Sequence, residues 1–219
     1  MTLSGFLADA REFLPILAEG VGVTVALTLC ALVLATALGV VWALLRTSGN
    51  RWLEAPVRWL VNVIRGIPII VQLFYIYFVL PDLGIDLSAF QAGVIGLGVA
   101  YSAYMGEVFR AGILAVDHGT IEAAESLGLS RLRILTRVVL PQAVRIVLPP
   151  FGNNLIMLLK DSSQASVITV AEISTQSRLI ASSTFKNQEV FTLAALLYLC
   201  LSIPLILLVA RLEKRFGRR

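Results

Sequence analysis

Long apolar runs organise this chain. A helix needs about 20 mostly apolar residues to cross a bilayer. Five stretches meet that length: residues 20–45, 56–80, 89–115, 138–159 and 190–210. The first and last carry no charge. The second holds Arg58 and Arg65, the third Glu107 and Arg110, and the fourth Arg145. Pro15 and Glu19 predict that the residues before Gly20 form a separate short surface helix. The stretch from Asp161 to Glu189 is too polar to span. It is rich in Ser and Thr, with Val167, Val170, Ile173 and Leu179 interspersed, which predicts a short amphipathic helix at the outer surface. The pattern as a whole predicts an all-α membrane protein: one transmembrane domain over residues 1–219, with five transmembrane helices.

In the third stretch Gly98, Ser102 and Gly106 recur at i, i+4 and i+8. Such a small-residue stripe predicts close helix packing, because apolar bulk gives no advantage in lipid.

Composition supports the pattern. Apolar residues make up 58% and charged residues 15%, with a mean hydropathy of +0.85. A soluble domain has roughly 45–50% and about 25%. The net charge of +4 does not point to nucleic acid, since no basic face is present and the cations sit at the ends of apolar runs. Their distribution orients the chain. With the N-terminus outside, the inner segments hold Arg46, Arg51, Arg58, Arg131, Arg133, Arg137, Arg211, Lys214, Arg215, Arg218 and Arg219. The outer segments hold only Arg11, Lys160, Arg178 and Lys186. The C-terminus is therefore expected in the cytoplasm. The N-terminal MTLSGFLADAREFL has no basic region ahead of its apolar residues and reads as no cleaved signal.

Cys30 and Cys200 each sit in an apolar run without a nearby His or Cys, and read as small core residues rather than as a metal site or a disulfide. His118 is the single histidine and lies in a polar turn. No catalytic residues and no metal site are expected. No GxxxxGK[ST] loop is present, so the chain itself binds no ATP and no other cofactor.

The segment between the third and fourth stretches, 116–137, is the most informative. Thr120 is a plausible N-cap, with Glu122 in the first turn. Ile121, Ala123, Ala124 and Leu127 give a short helix with small side chains. Gly128 supplies a left-handed residue to end it, Ser130 caps the next helix, and Pro141 kinks or restarts the chain as the fourth span begins. A short rigid helix held between two spans suits mechanical coupling to a partner.

Residues Glu122, Ala123, Ala124, Gly128, Leu140 and Pro141 match the EAA loop of binding-protein-dependent ABC importer permeases, with Val138 where Ile is usual. Other segments resemble the polar amino acid branch of that family, of the histidine, glutamine and arginine type. These are RGIPIIVQLF from Arg65, AYMGEVFRAGI from Ala103 and LPPFGNNLIMLLKDSSQASVI from Leu148. Ile67 stands where Thr is common, and Gln164 where an apolar residue is usual.

The resemblance implies a type I ABC importer transmembrane domain in the bacterial cytoplasmic (inner) membrane. It implies a cytoplasmic coupling loop at 116–137 docked on a dimeric ATPase that carries ATP and Mg. A second permease chain, identical or related, and an extracytoplasmic substrate-binding protein complete the complex. The substrate would be a polar amino acid or a close relative, moved by alternating access. The alternative is an ion-coupled secondary transporter, which would use a buried carboxylate such as Glu107.

Charges and polar groups within the spans need partners, which makes Asp161, Glu107, Arg65, Gln72, Tyr101 and Asn154 the candidates for a substrate pathway. Glu107 and Arg110, at i and i+3, are also placed to pair with each other. Arg65 is placed to hold carbonyls freed by Pro68. Asp161 beside Lys160 offers either a clamp for an amino acid's two charges or an interfacial anchor.

Overall fold

The computed structural model describes residues 3–216. Arg218 and Arg219, at the tail expected in the cytoplasm, lie outside the described residues. Among the described residues all regular structure is helical. Among the described residues four helices are long and apolar enough to cross a membrane, or five if the bent pair Arg51–Gly66 and Ile69–Leu83 is counted as one span.

Helix α1 runs unbroken over Leu3–Arg46, a length of 44 residues, so the expected separate helix before Gly20 is instead its first turns. Tertiary packing overrides Pro15. An interior proline costs about 3 kcal/mol or more. Full burial of Phe13 and Leu17 contributes roughly 1.5–3 kcal/mol each. Both pack with Ala10 against Ile180, Ala181, Val190 and Leu193, while Pro15 stays on the exposed face. At Gly20 a Cβ would stand 2.9 Å from the backbone nitrogen of Ile173, so only glycine allows this approach.

The second apolar stretch is not one straight span. Helix α2, Arg51–Gly66, is followed by α3, Ile69–Phe74, then a π-helical turn Tyr75–Val79 and a 3-10 turn Leu80–Leu83. The bend between the two parts is 97°. Pro68 cannot donate a backbone hydrogen bond, and it forces Ile67 into an extended conformation, φ −96° and ψ 129°. Gln72 Nε2 satisfies the carbonyls so freed, reaching Ile64 O at 2.8 Å and Ile67 O at 2.9 Å. The capping role expected of Arg65 therefore belongs to Gln72.

Helix α4, Ala89–Leu114, is the most buried span and packs along α1. The expected stripe makes this contact. A Cβ on Gly98 would meet Leu34 at 2.7 Å, one on Gly106 would meet Trp42 at 3.0 Å, and Trp42 Nε1 donates to Ser102 Oγ at 3.0 Å. Leu27, Ala31, Ala35, Leu73, Leu97, Met105 and Leu158 fill the core around it.

Helix α5, His118–Ser126, and the single turn α6, Arg131–Ile134, follow. A π-helical turn, Leu135–Val139, leads into α7, Leu140–Asp161, at the point where Pro141 removes a helical donor. Between Asp161 and Ile173 the chain turns into the bundle rather than lying on a surface, and the expected short amphipathic helix is Ile173–Thr184 alone. Ser162, Ala165 and Ile168 of the 3-10 segment Ser162–Ile168 are buried, as are Val170 and Ile173. Helix α8, Ile173–Thr184, packs on α1, and α9, Asn187–Phe216, closes the bundle. Cys30 and Cys200 correct the expectation of core positions: both face outward from the bundle.

Candidate functional site

Two regions carry the candidate residues. The first is the turn around α5. Its N-cap is Asp117 rather than Thr120: the Asp117 carboxylate accepts from Thr120 N at 3.0 Å and from Thr120 Oγ1 at 3.3 Å. Helix α5 thus starts earlier than expected. Glu122 leaves the first turn, and its carboxylate meets His118 Nδ1 at 3.0 Å on the exposed face.

The two alanines diverge. Ala123 is exposed. Ala124 is buried with Val116, Ile134, Val139 and Ala143 and braces α5 against α6 and α7. Of the two small side chains, only Ala123 is left on the outward face of α5.

Gly128 has φ +73°, a conformation that suits glycine, and no atom lies within 4 Å of where its Cβ would stand. Leu127 N reaches Ala123 O at 3.2 Å and Gly128 N reaches Glu125 O at 2.8 Å, which closes the helix end. Ser130 occupies the next N-cap, but its side chain makes no capping hydrogen bond. Leu127 is 80% exposed and Leu132 69%, so two large apolar side chains stand clear of the chain at this turn. Leu140 and Pro141 open α7 behind it.

The second region runs along one side of α4. Tyr101 stands at the midpoint of this 26-residue helix and donates its hydroxyl to Asp161 Oδ2 at 2.6 Å. Asp161 is thus level with the middle of α4, deeper than the outer mouth at which the sequence had placed it. Lys160 turns the other way, into a groove with Asn153, Ile206 and Glu213, so the adjacent pair forms no clamp. The Tyr101 and Tyr104 rings lie 6.0 Å apart, and the Arg65 guanidinium sits 5.4 Å from the Tyr104 ring centre.

One turn further, Glu107 is shared by three arginines. Oε1 pairs with Arg46 and lies 3.8 Å from Arg65, and Oε2 accepts from Arg110 Nε at 3.1 Å. The expected Glu107–Arg110 pair is present, enlarged by cations from α1 and α2.

The structure therefore brings together Asp161, Tyr101, Arg65 and Glu107. Gln72 is held by the α2–α3 bend. Asn154, two turns before Asp161 on α7, keeps a buried Nδ2 without an acceptor. Chemically the two ends of this polar strip differ. Glu107 is already neutralised by arginines, whereas the Asp161 carboxylate has one side-chain donor, Tyr101, and is open to a cationic group.

Sequence reasoning missed Glu172. It is fully buried at the N-cap of α8, accepting from Ser174 N at 2.9 Å, Thr175 N at 2.8 Å and Tyr198 Oη at 2.6 Å. Burial pushes its carboxyl above the usual range, against these donors. An acid directly before a helix is a legible capping signal. Its burial depends on Tyr198, which arrives from α9, far along the chain. Among the described residues no group of three or more His, Cys, Asp and Glu side chains is gathered that could hold a metal.

The family model described as "Binding-protein-dependent transport system inner membrane component" matches residues 17–218. The probable amino-acid ABC transporter permease protein y4tG of Sinorhizobium fredii (strain NBRC 101917 / NGR234) is 40% identical over 218 residues, covering 100% of this chain and 94% of that protein. The probable glutamine ABC transporter permease protein GlnM of Bacillus subtilis (strain 168) is 40% identical over 199 residues, covering 87% and 90%. A solved structure described as "Crystal structure of an amino acid ABC transporter with histidines" superposes with a TM-score of 0.90 at 35% identity, covering 98% of this chain and 100% of that one.

Proposed function

This chain belongs to the family of binding-protein-dependent transport system inner membrane components, and from that premise we propose that it moves a polar amino acid through a path past Asp161, driven from the turn at Gly128. It is the membrane permease subunit of an ABC importer with the type I fold, and its relatives are ABC amino acid permeases. The family places the energy source on a separate ATPase rather than on an ion gradient.

The observation that carries the mechanism is one helical run, Arg131–Ile168, with the exposed turn at one end and Asp161 near the other. Ala123, Leu127 and Leu132 present the contact for the ATPase. Gly128 fixes the shape of the turn, Glu122 and His118 sit on its outer face, and buried Ala124 ties α5 to α6 and α7. ATP-driven closure of the ATPase dimer pushes on this knob. The push passes through Leu140 and Pro141 along α7 and shifts Asp161 relative to Tyr101. In this reading the cavity between two permease chains changes the side it faces, and the amino acid's ammonium group exchanges Asp161 for water.

Asp161 and Tyr101 then touch substrate, and Asn154 lies two turns away along α7 with its amide nitrogen buried. Glu107 and Arg65 stay in the arginine cluster and hold α1, α2 and α4 together. The N-terminus faces outward, toward a substrate-binding protein that delivers the amino acid, and the α5 turn faces the cytoplasm.

The test is uptake in vesicles holding the permease, its ATPase and its binding protein. Uptake of a polar amino acid should require ATP on the α5 side and persist when proton and sodium gradients are dissipated. Gradient-driven uptake without ATP would refute the reading.

A further inference from the structure

Apart from Arg65, two sides of helix α2 have no role in this mechanism. On one, Trp52, Pro56, Trp59 and Val63 recur at i, i+4, i+7 and i+11, flanked by Leu53 and Leu60. Trp52 is 90% exposed and Trp59 68%. On the other side Arg51, Glu54 and Arg58 line a shallow surface niche, with Asn62 and Arg65 continuing the polar face.

Its depth follows from Glu107. Arg46, the last residue of α1, and Arg65, near the end of α2, both reach that carboxylate. The 14 residues from Arg51 to Arg65 rise about 21 Å. A helix climbing back along α1 would carry Arg65 that far from the level of Arg46. Since both cations meet one acid, Arg65 lies within side-chain reach of the level of Arg46, less than the full rise of about 21 Å requires, and the helix runs more across the bundle than up it. The 97° bend then turns α3 up along α4, where Leu73 packs at Gly96. The segment Ile69–Leu83 is about 22 Å long, short of the roughly 30 Å hydrocarbon core. Only α2 is left to meet the membrane boundary at this end.

We propose that α2 is an in-plane anchor seated in the membrane interface at the α5 end of the bundle, with Trp52 and Trp59 among the acyl chains and Arg51 and Arg58 on lipid phosphates. Amphipathic helices with Trp and Leu on one face and cations on the other bind in this layer, about 5–10 Å into the headgroup boundary. Tryptophan favours the same layer, where its ring is half apolar and half polar. Continuity with α1, whose apolar run ends at Arg46, places α2 at the edge of the hydrocarbon. Calling this edge the inner leaflet rests on the orientation proposed above; the depth of α2 does not.

The experiment uses the permease–ATPase complex in vesicles of phosphatidylethanolamine and phosphatidylglycerol. Cys30→Ser and Cys200→Ser remove this chain's thiols, and the partner's are removed likewise. Nitroxides are then placed through Trp52→Cys, Trp59→Cys, Glu54→Cys and Arg58→Cys, one at a time. Collision with oxygen and with a water-soluble nickel chelate gives the depth of each. Labels at 52 and 59 should collide with oxygen, exclude the chelate and lie at equal depth, while labels at 54 and 58 meet the chelate. Three outcomes each overturn the proposal. Chelate access at 52 and 59 means that this face is in water. A depth difference near 10 Å between them, from seven residues of helical rise, means that α2 is an inclined span. Shielding from both probes means that the ATPase or a second copy covers it. None of these depends on whether transport is ATP-driven, so failure here is distinct from failure of the importer reading.

Discussion

Tyr101 donates its hydroxyl to Asp161 at 2.6 Å, joining the midpoint of α4 to the last residue of α7. One of these helices is packed along α1 in the bundle core. The other continues the run that begins beside the turn at Gly128. In the proposed mechanism a movement of α7 relative to α4 stretches or breaks this bond, and the pair is where that motion reaches a charged group level with the middle of α4.

Asp161→Asn keeps an acceptor for Tyr101 and removes only the charge. A hydrogen bond to a charged group is worth about 1.5–3 kcal/mol, so uptake should fall roughly 10- to 100-fold at low substrate. The melting temperature of the purified complex should barely move. Uptake at the wild-type level for every polar amino acid tried would remove Asp161 from the pathway.

Glu107→Gln should behave in the opposite way. It leaves Arg46, Arg65 and Arg110 without their common anion, and the Arg46 side chain is only 9% exposed. Breaking a buried pair costs about 3–5 kcal/mol. Glu107 is itself 22% exposed, so a loss of roughly 1–3 kcal/mol is expected, read as a lower melting temperature in detergent. If stability is unchanged and substrate selectivity shifts instead, Glu107 faces the substrate and the arginine cluster is not its role.

Glu172→Ala strips the α8 N-cap and leaves the Tyr198 hydroxyl without this acceptor. Loss of a cap costs about 1 kcal/mol, while the Tyr198 hydroxyl keeps Ser174 Oγ, 3.1 Å away, as a partner. Limited proteolysis should cut near α8 in the variant before it cuts the wild type. Equal cutting rates would show that the apolar contacts of α8 with α1 and α9 hold it without the cap.

Much of this was legible in the sequence because lipid imposes length. The apolar runs around Leu27, Gly98 and Leu197 could only be helices, and the stripe at Gly98, Ser102 and Gly106 announced a close neighbour. The Glu122–Pro141 pattern announced the turn. What could not be read depended on contacts distant along the chain. Pro15 looks like a boundary until Ile180 and Val190 are brought against Phe13 and Leu17. Ala123 and Ala124 look equivalent until Ile134 and Ala143 cover one of them. Gln72 takes the role read for Arg65 because only geometry says which reaches the carbonyls freed at Pro68. Asp161 read as either a clamp with Lys160 or an interfacial anchor, because nothing in the sequence tells that Ser162–Ile168 continues inside the bundle.

The most direct test of the account is the ATP hydrolysis rate of the reconstituted complex, with and without ligand-loaded binding protein, in Gly128→Val and Leu127→Asp variants. At Gly128 there is open space, so valine adds only the strain of φ +73°, about 1–2 kcal/mol for a residue with a Cβ. At Leu127, 80% exposed, aspartate puts a charge in place of an apolar side chain that the proposed mechanism sets against the ATPase. The spans are untouched, and both proteins should insert as the wild type does. The account predicts that ligand-loaded binding protein no longer accelerates hydrolysis and that uptake falls at least about tenfold, a change of roughly 1.4 kcal/mol. Stimulation and uptake at wild-type levels, with the ATPase still bound, would contradict it.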